Sequence, residues 1–375
     1  MHLGPLDIHF GWREKRISGL QAFYWNILFR SLAMGLIGVF APVFVFLTMK
    51  EVGGGWIAGV RWVMIFVLMQ RVVVWFGAIR AGQIVEKIGY RWGILWGVVF
   101  QILMLLFLLV SEGDYRWLVA AAVAAGLVIL FYWISRLSLF SDDGIDKEFG
   151  QEMGVVTLLE RGSSILAPFL GGVIIAGFGF QVLFAVGVVL LLASIVPLFF
   201  MPYHEHKDGI SWKNFAKFLK KKSNRKLALG FFGRGMEDLV TIWIWPLFAF
   251  IIVGTFEGLG AVTSIVMVVS VLTAFLVGKL FDKNRAKGGL EDEKIYWIGS
   301  VVTAVTRFTR SFASSMWGIV GWDSVTKIAA PFYWIPFGSY RAVAARKVSV
   351  VEFFSYRAMI YSLGGMIMAL LSMIM

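Results

Sequence analysis

Ten charged side chains interrupt stretches that are otherwise apolar: the acids Glu160, Glu237, Asp238 and Asp323, and the bases Arg30, Arg71, Arg161, Arg234, Arg307 and Lys327. A carboxylate taken out of water is pushed toward its neutral form, and a nearby arginine pushes it back, so such acids can take up and release a proton. Two guanidinium groups facing one another can grip an oxyanion bidentately. The chain has no cysteine, and its only histidines are His2, His9, His204 and His206, all outside the apolar stretches. Thiol nucleophiles, thiolate metal sites and a buried histidine relay are therefore excluded, and neither a metal nor a cofactor is expected. Glu160, Glu237, Asp238 and Asp323 remain as the proton-coupling candidates. Simple pairing competes with function at each. Arg234 and Asp238, like Asp323 and Lys327, are four residues apart on one helix face, and Glu160-Arg161 can form a structural pair between helices. Trp243 and Trp245, just before Pro246, are candidates to line a cavity for an aromatic or amphipathic ligand.

The elements that carry these residues follow from composition. Of 375 residues, 59% are hydrophobic and 15% charged, against about 45–50% and about 25% in soluble domains. One soluble core cannot hide that much apolar surface, so most of it must face lipid. A soluble enzyme and a nucleic-acid-binding module are excluded on that ground. A membrane-spanning helix needs about 20 mostly apolar residues. Eleven crossings, numbered in chain order, are expected at 19–48, 56–80, 92–111, 117–139, 153–177, 179–202, 227–254, 257–280, 295–314, 316–338 and 352–375. Residues 162–203 carry no charge and are long enough for two crossings, with Gly177-Phe178-Gly179 as the break. The start of the chain lacks a basic segment followed by a short apolar one, so no signal peptide is expected.

Lysine and arginine concentrate in alternate loops, and only Lys50, Arg61, Arg116 and Arg310 fall on the other side. By the positive-inside rule the N-terminus is cytoplasmic and the protein sits in an inner membrane. The net charge of +12 is thereby accounted for without nucleic acid. Between the halves, 204–226 interleaves Trp212, Phe215, Phe218 and Leu219 with Lys213, Lys217, Lys220, Lys221 and Lys222. It is expected to form a basic amphipathic linker lying on the anionic inner leaflet.

The two halves repeat. Pro42-Val43-Phe44-Val45-Phe46 matches Pro246-Leu247-Phe248-Ala249-Phe250, with Arg30 and Arg234 at the same distance before each proline. Phe131-Tyr132-Trp133-Ile134 recurs as Phe332-Tyr333-Trp334-Ile335, and Gly82 to Lys87 as Gly278 to Lys283. Both halves begin on the same side, so the repeats are parallel. The expected domains are a six-helix bundle over 1–203, the linker over 204–226 and a second bundle over 227–375. A sixth helix of the second bundle would fall beyond residue 375, so the chain is expected to stop one helix short.

Within this frame the loop Gly82-x-Ile84-x-Glu86-Lys87-x-Gly89-Tyr90-Arg91 resembles the motif between the second and third helices of the major facilitator superfamily, glycine-x-leucine-x-aspartate-arginine-x-glycine-arginine-arginine. Gly278-x-Leu280-x-Asp282-Lys283-x-Arg285 is its second copy. The resemblance implies an all-α membrane protein of two parallel-repeat bundles around a midplane solute site. In it Gly82, Glu86, Lys87, Gly89, Arg91, Gly278, Asp282 and Lys283 would form a gating latch that breaks when the inner side opens. Ala167-Pro168-Phe169-Leu170-Gly171-Gly172 resembles the helix 5 motif of the superfamily's proton-coupled exporters, with Ala167 in place of a glycine. Pro168 would kink the helix, and Gly171 and Gly172 would permit close packing. Those exporters carry an arginine within helix 4; here 117–135 is uncharged and Arg136 stands at the inner end. Arg30 and Arg234 resemble the arginine pair of the organic-phosphate exchangers.

The expectation is thus a monomeric, non-enzymatic secondary transporter working by alternating access, with a small-molecule substrate, the lipid bilayer and protons as its partners. Proton-coupled export of a small amphipathic solute comes first, and uptake or exchange of an organic anion on Arg30 and Arg234 second. A polytopic membrane enzyme is the rival of another class. Its only foothold is Asp142-Asp143-x-x-Asp146, which no phosphate-cradling glycine loop accompanies; a non-transporting scaffold is the other rival.

Overall fold

The computed structural model describes residues 16–111, 114–143, 158–201, 210–285, 292–345 and 349–374. Among them every regular element is helical. Seven stretches are long and apolar enough to cross a membrane. Two of them hold two crossings each. Trp56–Leu109 bends at Gly89 (φ 81°, ψ 162°), and Leu158–Phe200 bends at Gly179 (φ 81°, ψ 173°). Both angles lie in the left-handed region that a Cβ disfavours. Gly89, the second glycine of the loop motif, is therefore the reversal itself, and the expected break at 177–179 falls on its last residue.

Crossing 1 is Arg16–Ile37 continued by Ala41–Val52. Crossings 2 and 3 share Trp56–Leu109. Crossing 4 runs through Tyr115–Val128, Ile129–Trp133 and Ile134–Asp143. Crossings 5 and 6 share Leu158–Phe200. The linker helix is Trp212–Lys220. Crossing 7 is Lys222–Leu239, Val240–Ile244 and Trp245–Val253, and crossing 8 is Phe256–Arg285. Crossing 9 is Asp292–Thr309, crossing 10 is Met316–Ala329 with Pro331–Ala345, and crossing 11 is Val350–Ile374. Crossings 9 and 10 fall outside the seven apolar stretches because of Arg307, Arg310, Asp323 and Lys327. They remain two helices, parted by an extended Ala313.

The repeat is visible where two prolines stand. Crossing 4 carries a short π turn at Ile129–Trp133 and crossing 7 another at Val240–Ile244. Crossing 1 breaks just before Pro42, and the π turn of crossing 7 ends just before Pro246. A proline has no N–H to donate and clashes with the preceding turn, so each helix is loosened at the same place.

The surface is apolar as well as the interior. Phe76, Phe178, Leu276 and Phe308 are each more than 60% exposed, as lipid-facing residues must be. Interiors are built by close approach of small residues, because lipid supplies no hydrophobic drive between helices. Gly171 abuts the Leu36 carbonyl of crossing 1, while Gly172 abuts the Phe256 carbonyl of crossing 8. Gly260 of crossing 8 returns the contact at the Pro168 carbonyl, and the Phe169 N–H donates to Ser264 Oγ at 3.1 Å. The Pro168, Gly171 and Gly172 run therefore seats crossing 5 against a helix of each half.

The linker helix turns part of its apolar face to protein, while Trp212 stays 51% exposed. Phe215 and Phe218 are buried against Tyr356, and Phe218 also meets Phe353. Tyr356 Oη donates to the Ser211 carbonyl (3.0 Å) and Glu352 (2.6 Å). Amphipathicity specifies that one face needs a cover, and aromatic residues of crossing 11 supply it.

Candidate functional site

A half-enclosed cavity of about 390 Å³ lies between crossings 1, 2, 3, 4, 7 and 11. Its wall is mostly apolar, with Met34, Phe66, Trp133 and Phe354 among its members. The charged residues facing it are Arg30, Arg71, Arg357 and Asp238. Three cations against one anion make it an electropositive chamber in a low-dielectric setting, where Coulomb forces are much stronger than in water.

Arg30 is 7% exposed. Its Nε donates to Gln101 Oε1 at 2.9 Å, and its guanidinium carbon sits 3.7 Å from the Tyr132 ring centroid. Arg71 is 4% exposed and its Nε has no hydrogen-bond partner. It packs against Gly365, where a Cβ would stand 3.0 Å from that nitrogen. Arg71 and Arg357 both approach the Tyr361 ring, at 5.3 and 5.2 Å from its centroid. Cation–π contact with the Tyr361 ring helps to hold each guanidinium in place. Crossings 2 and 11 thus bring two arginines to one tyrosine from opposite ends of the sequence.

The structure does not bring Arg234 to this cavity. Arg234 bonds Glu237 (2.5 Å) and Asp238 (3.2 Å) on its own helix and meets Tyr333 of crossing 10. Glu237 also binds Arg307 of crossing 9 and accepts from Tyr333 Oη at 2.9 and 3.0 Å. Arg30 lines the cavity together with Arg71 and Arg357, and Arg234 is not among its lining residues. The cause is that Arg234 has two carboxylates within one helical turn, whereas Arg30 has none. Of the four acids, only Asp238 lines the cavity. Glu160 pairs with Arg136 of crossing 4, which is 5% exposed. The neighbouring Arg161 instead reaches Ser270 Oγ at 3.1 Å and the Trp334 ring at 4.7 Å. Asp323 pairs with Arg310 (3.2 Å) rather than Lys327, and accepts from Trp245 Nε1 at 2.9 Å. Trp243 lines the cavity, its ring tilted against that of Phe66. Trp245 is an anchor between crossings 7 and 10.

At the linker side Gly82 lies against Ser355 of crossing 11 and Ile210 of the linker, with Gln83 Nε2 donating to the Ile210 carbonyl at 2.8 Å. Glu86 is buried, Lys87 is exposed, and Arg91 donates to the Met201 carbonyl at 3.1 Å. The first motif copy therefore bridges both halves and the linker. Gly278, Asp282 and Lys283 lie on the last turns of crossing 8, and their side chains fall outside the described residues, as does Asp146. Arg357 and Tyr361 escaped the sequence reading. The available signal was one arginine in an apolar helix with an aromatic residue four positions on.

Parallel-repeat helices around a half-enclosed, mostly apolar chamber carrying a few charged groups are the architecture of a secondary transporter. Residues 23–375 match the sequence profile of the Major Facilitator Superfamily, and the chain belongs to that superfamily. No curated protein matches it by sequence. Among solved structures, the fucose:proton symporter FucP of Escherichia coli is similar with a TM-score of 0.65 at 13% identity, over 95% of this chain and 91% of that one. The human organic anion transporter MFSD10 (TETRAN) is similar with a TM-score of 0.67 at 11% identity, over 96% and 95%.

Proposed function

We propose that this protein carries small amphipathic organic anions across the membrane, coupled to protons. The observation that carries the reading is the cavity's charge: Arg30, Arg71 and Arg357 against Asp238 alone, on an otherwise apolar wall. An anion entering would meet the Arg71 Nε, which has no hydrogen-bond partner among the described residues, and its apolar body would lie on Phe66, Trp133 and Trp243. The two similar solved proteins, a proton symporter and an organic anion transporter, support solute and ion of these kinds.

The mechanism is alternating access. Bundles 1–203 and 227–375 rock about the cavity, joined by 204–226, with the linker side cytoplasmic and the protein monomeric. Asp238 is the proton carrier. As a carboxylate beside Arg234 it acts as an internal anion; once protonated it yields the cavity's positive field to the substrate. A ligand shifts the equilibrium only by its differential affinity for the two states, and the arginines from both bundles supply that difference when a bound anion draws them together.

The test is uptake into proteoliposomes with an imposed pH gradient, across a panel of organic anions and uncharged or cationic amphiphiles. Gradient-dependent flux confined to anions is expected, and the sign of the effective gradient reads the direction. Flux of cationic amphiphiles alone would overturn the substrate class. Flux indifferent to the gradient would overturn the coupling.

A further inference from the structure

A second concavity, away from the central chamber, opens where the linker meets the bundles. It is a groove of about 540 Å³ walled by Trp75 of crossing 2, Leu229 of crossing 7, Leu363 of crossing 11 and Leu219 of the linker helix, with Lys220 and Arg225 among its lining. We propose that this groove binds an anionic phospholipid, its acyl chain on the apolar wall and its headgroup phosphate on Lys220 and Arg225.

Three observations carry this. The wall is formed by membrane-crossing helices, and Leu229 is 72% exposed, so within a bilayer the neighbour of this face is lipid. The cations stand where two helix ends meet at the groove: Lys220 ends the linker helix and Arg225 lies in the first turn of crossing 7. Arg225 is held there by its Nε donating to the Leu219 carbonyl at 2.9 Å, with Asn224 Nδ2 bracing the same turn on the Phe218 carbonyl at 3.0 Å. Among the described residues, no acid pairs with Lys220 or Arg225. A basic pocket between crossing helices at the membrane surface matches a lipid whose head is net negative, whereas a zwitterionic head brings its own cation. The groove lies across the seam between crossing 2 and crossings 7 and 11, so its occupant touches both halves and the linker.

The test is native mass spectrometry of the full chain in detergent, titrated with phosphatidylglycerol, with phosphatidylcholine of the same chains, and with glycerol phosphate. One preferential phosphatidylglycerol adduct is expected, and no glycerol phosphate adduct. The double variant Lys220→Gln and Arg225→Gln weakens that adduct by roughly 30-fold, from two surface cations lost. Leu229→Glu, at an exposed position, weakens it too by placing a carboxylate on the wall. Phosphatidylcholine binding as tightly as phosphatidylglycerol overturns the proposal, and so does a double variant that binds unchanged. Glycerol phosphate competing on equal terms makes the site one for free phosphate and also overturns it.

Discussion

The guanidinium carbon of Arg30 stands 3.7 Å from the centre of the Tyr132 ring. The same pairing recurs in the second half, where Arg234 meets Tyr333. Both pairs join a first-position helix to a fourth-position helix of their bundle, at residues that the sequence repeat places in register. Their surroundings differ. Glu237 and Asp238 neutralise Arg234, while Arg30 donates to the neutral Gln101, forms no ion pair among the described residues and faces the cavity.

Arg30→Gln and Arg234→Gln should therefore fail differently. Loss of a charged hydrogen-bond donor to a bound anion costs about 1.5–3 kcal/mol, or roughly 10- to 100-fold in affinity. Arg30→Gln should show this in the concentration dependence of anion transport, with its melting temperature near that of the parent. Arg234→Gln should lower the melting temperature and leave the affinity of the surviving fraction nearly intact. Equal affinity losses in both would restore the symmetric clamp.

Arg71→Gln should weaken anion binding to a similar degree, because Arg71 is buried at the cavity with an unpartnered Nε. Arg71 forms no ion pair among the described residues, so removing its buried charge should also leave the protein no less stable, since its desolvation cost goes with it. Binding titrations and thermal unfolding on the same sample separate the two effects. A variant that binds normally would remove Arg71 from the site.

Asp238→Asn should abolish acceleration by a pH gradient while preserving anion exchange, because the amide keeps the shape and cannot carry the proton. Exchange assays with and without the gradient read this directly. Gradient dependence that survives in Asp238→Asn would move the proton to another group.

Gly82→Val should open the linker side, because any side chain at Gly82 overlaps Ser355 and Ile210. The chain has no cysteine, so a single Ala358→Cys at the cavity wall reports access cleanly. Labelling by a membrane-impermeant maleimide from the linker side should speed up at least several-fold in Gly82→Val. An unchanged rate would mean that this contact does not gate the cavity.

Arg310→Gln should destabilise strongly. Arg310 is 3% exposed, pairs with Asp323 and lies 4.0 Å from the Trp245 ring centroid. Breaking a buried pair by removing one member costs about 3–5 kcal/mol, and the melting temperature should fall by several degrees. Replacing Asp323 with Asn in the same chain should recover part of the loss, because the orphaned carboxylate is then gone.

Class, crossings, reversal points and repeat were legible in the sequence because each depends on local properties. Apolar length and glycine position act within a few residues of themselves, and the parallel motifs survive as matching short strings. Gly89, Gly179, Pro42 and Pro246 did in the structure what their types require. Arg30 stood out as a lone cation on an apolar helix, the resemblance marked it as a cavity candidate, and it lines the cavity.

What only the tertiary structure decided was who meets whom. Helical periodicity tells which residues share a face but not which other helix covers it. Arg234 and Arg307 converge on Glu237, Asp323 takes Arg310 over its near neighbour Lys327, and Arg71 and Arg357 meet at Tyr361, because helices distant in sequence pack side by side. The linker helix followed the same rule: its amphipathic pattern required a cover for Phe215 and Phe218, and the packing of crossing 11 determined that the cover is protein. Charge and apolar surface are properties of a residue, whereas pairing and burial are properties of the assembled bundle.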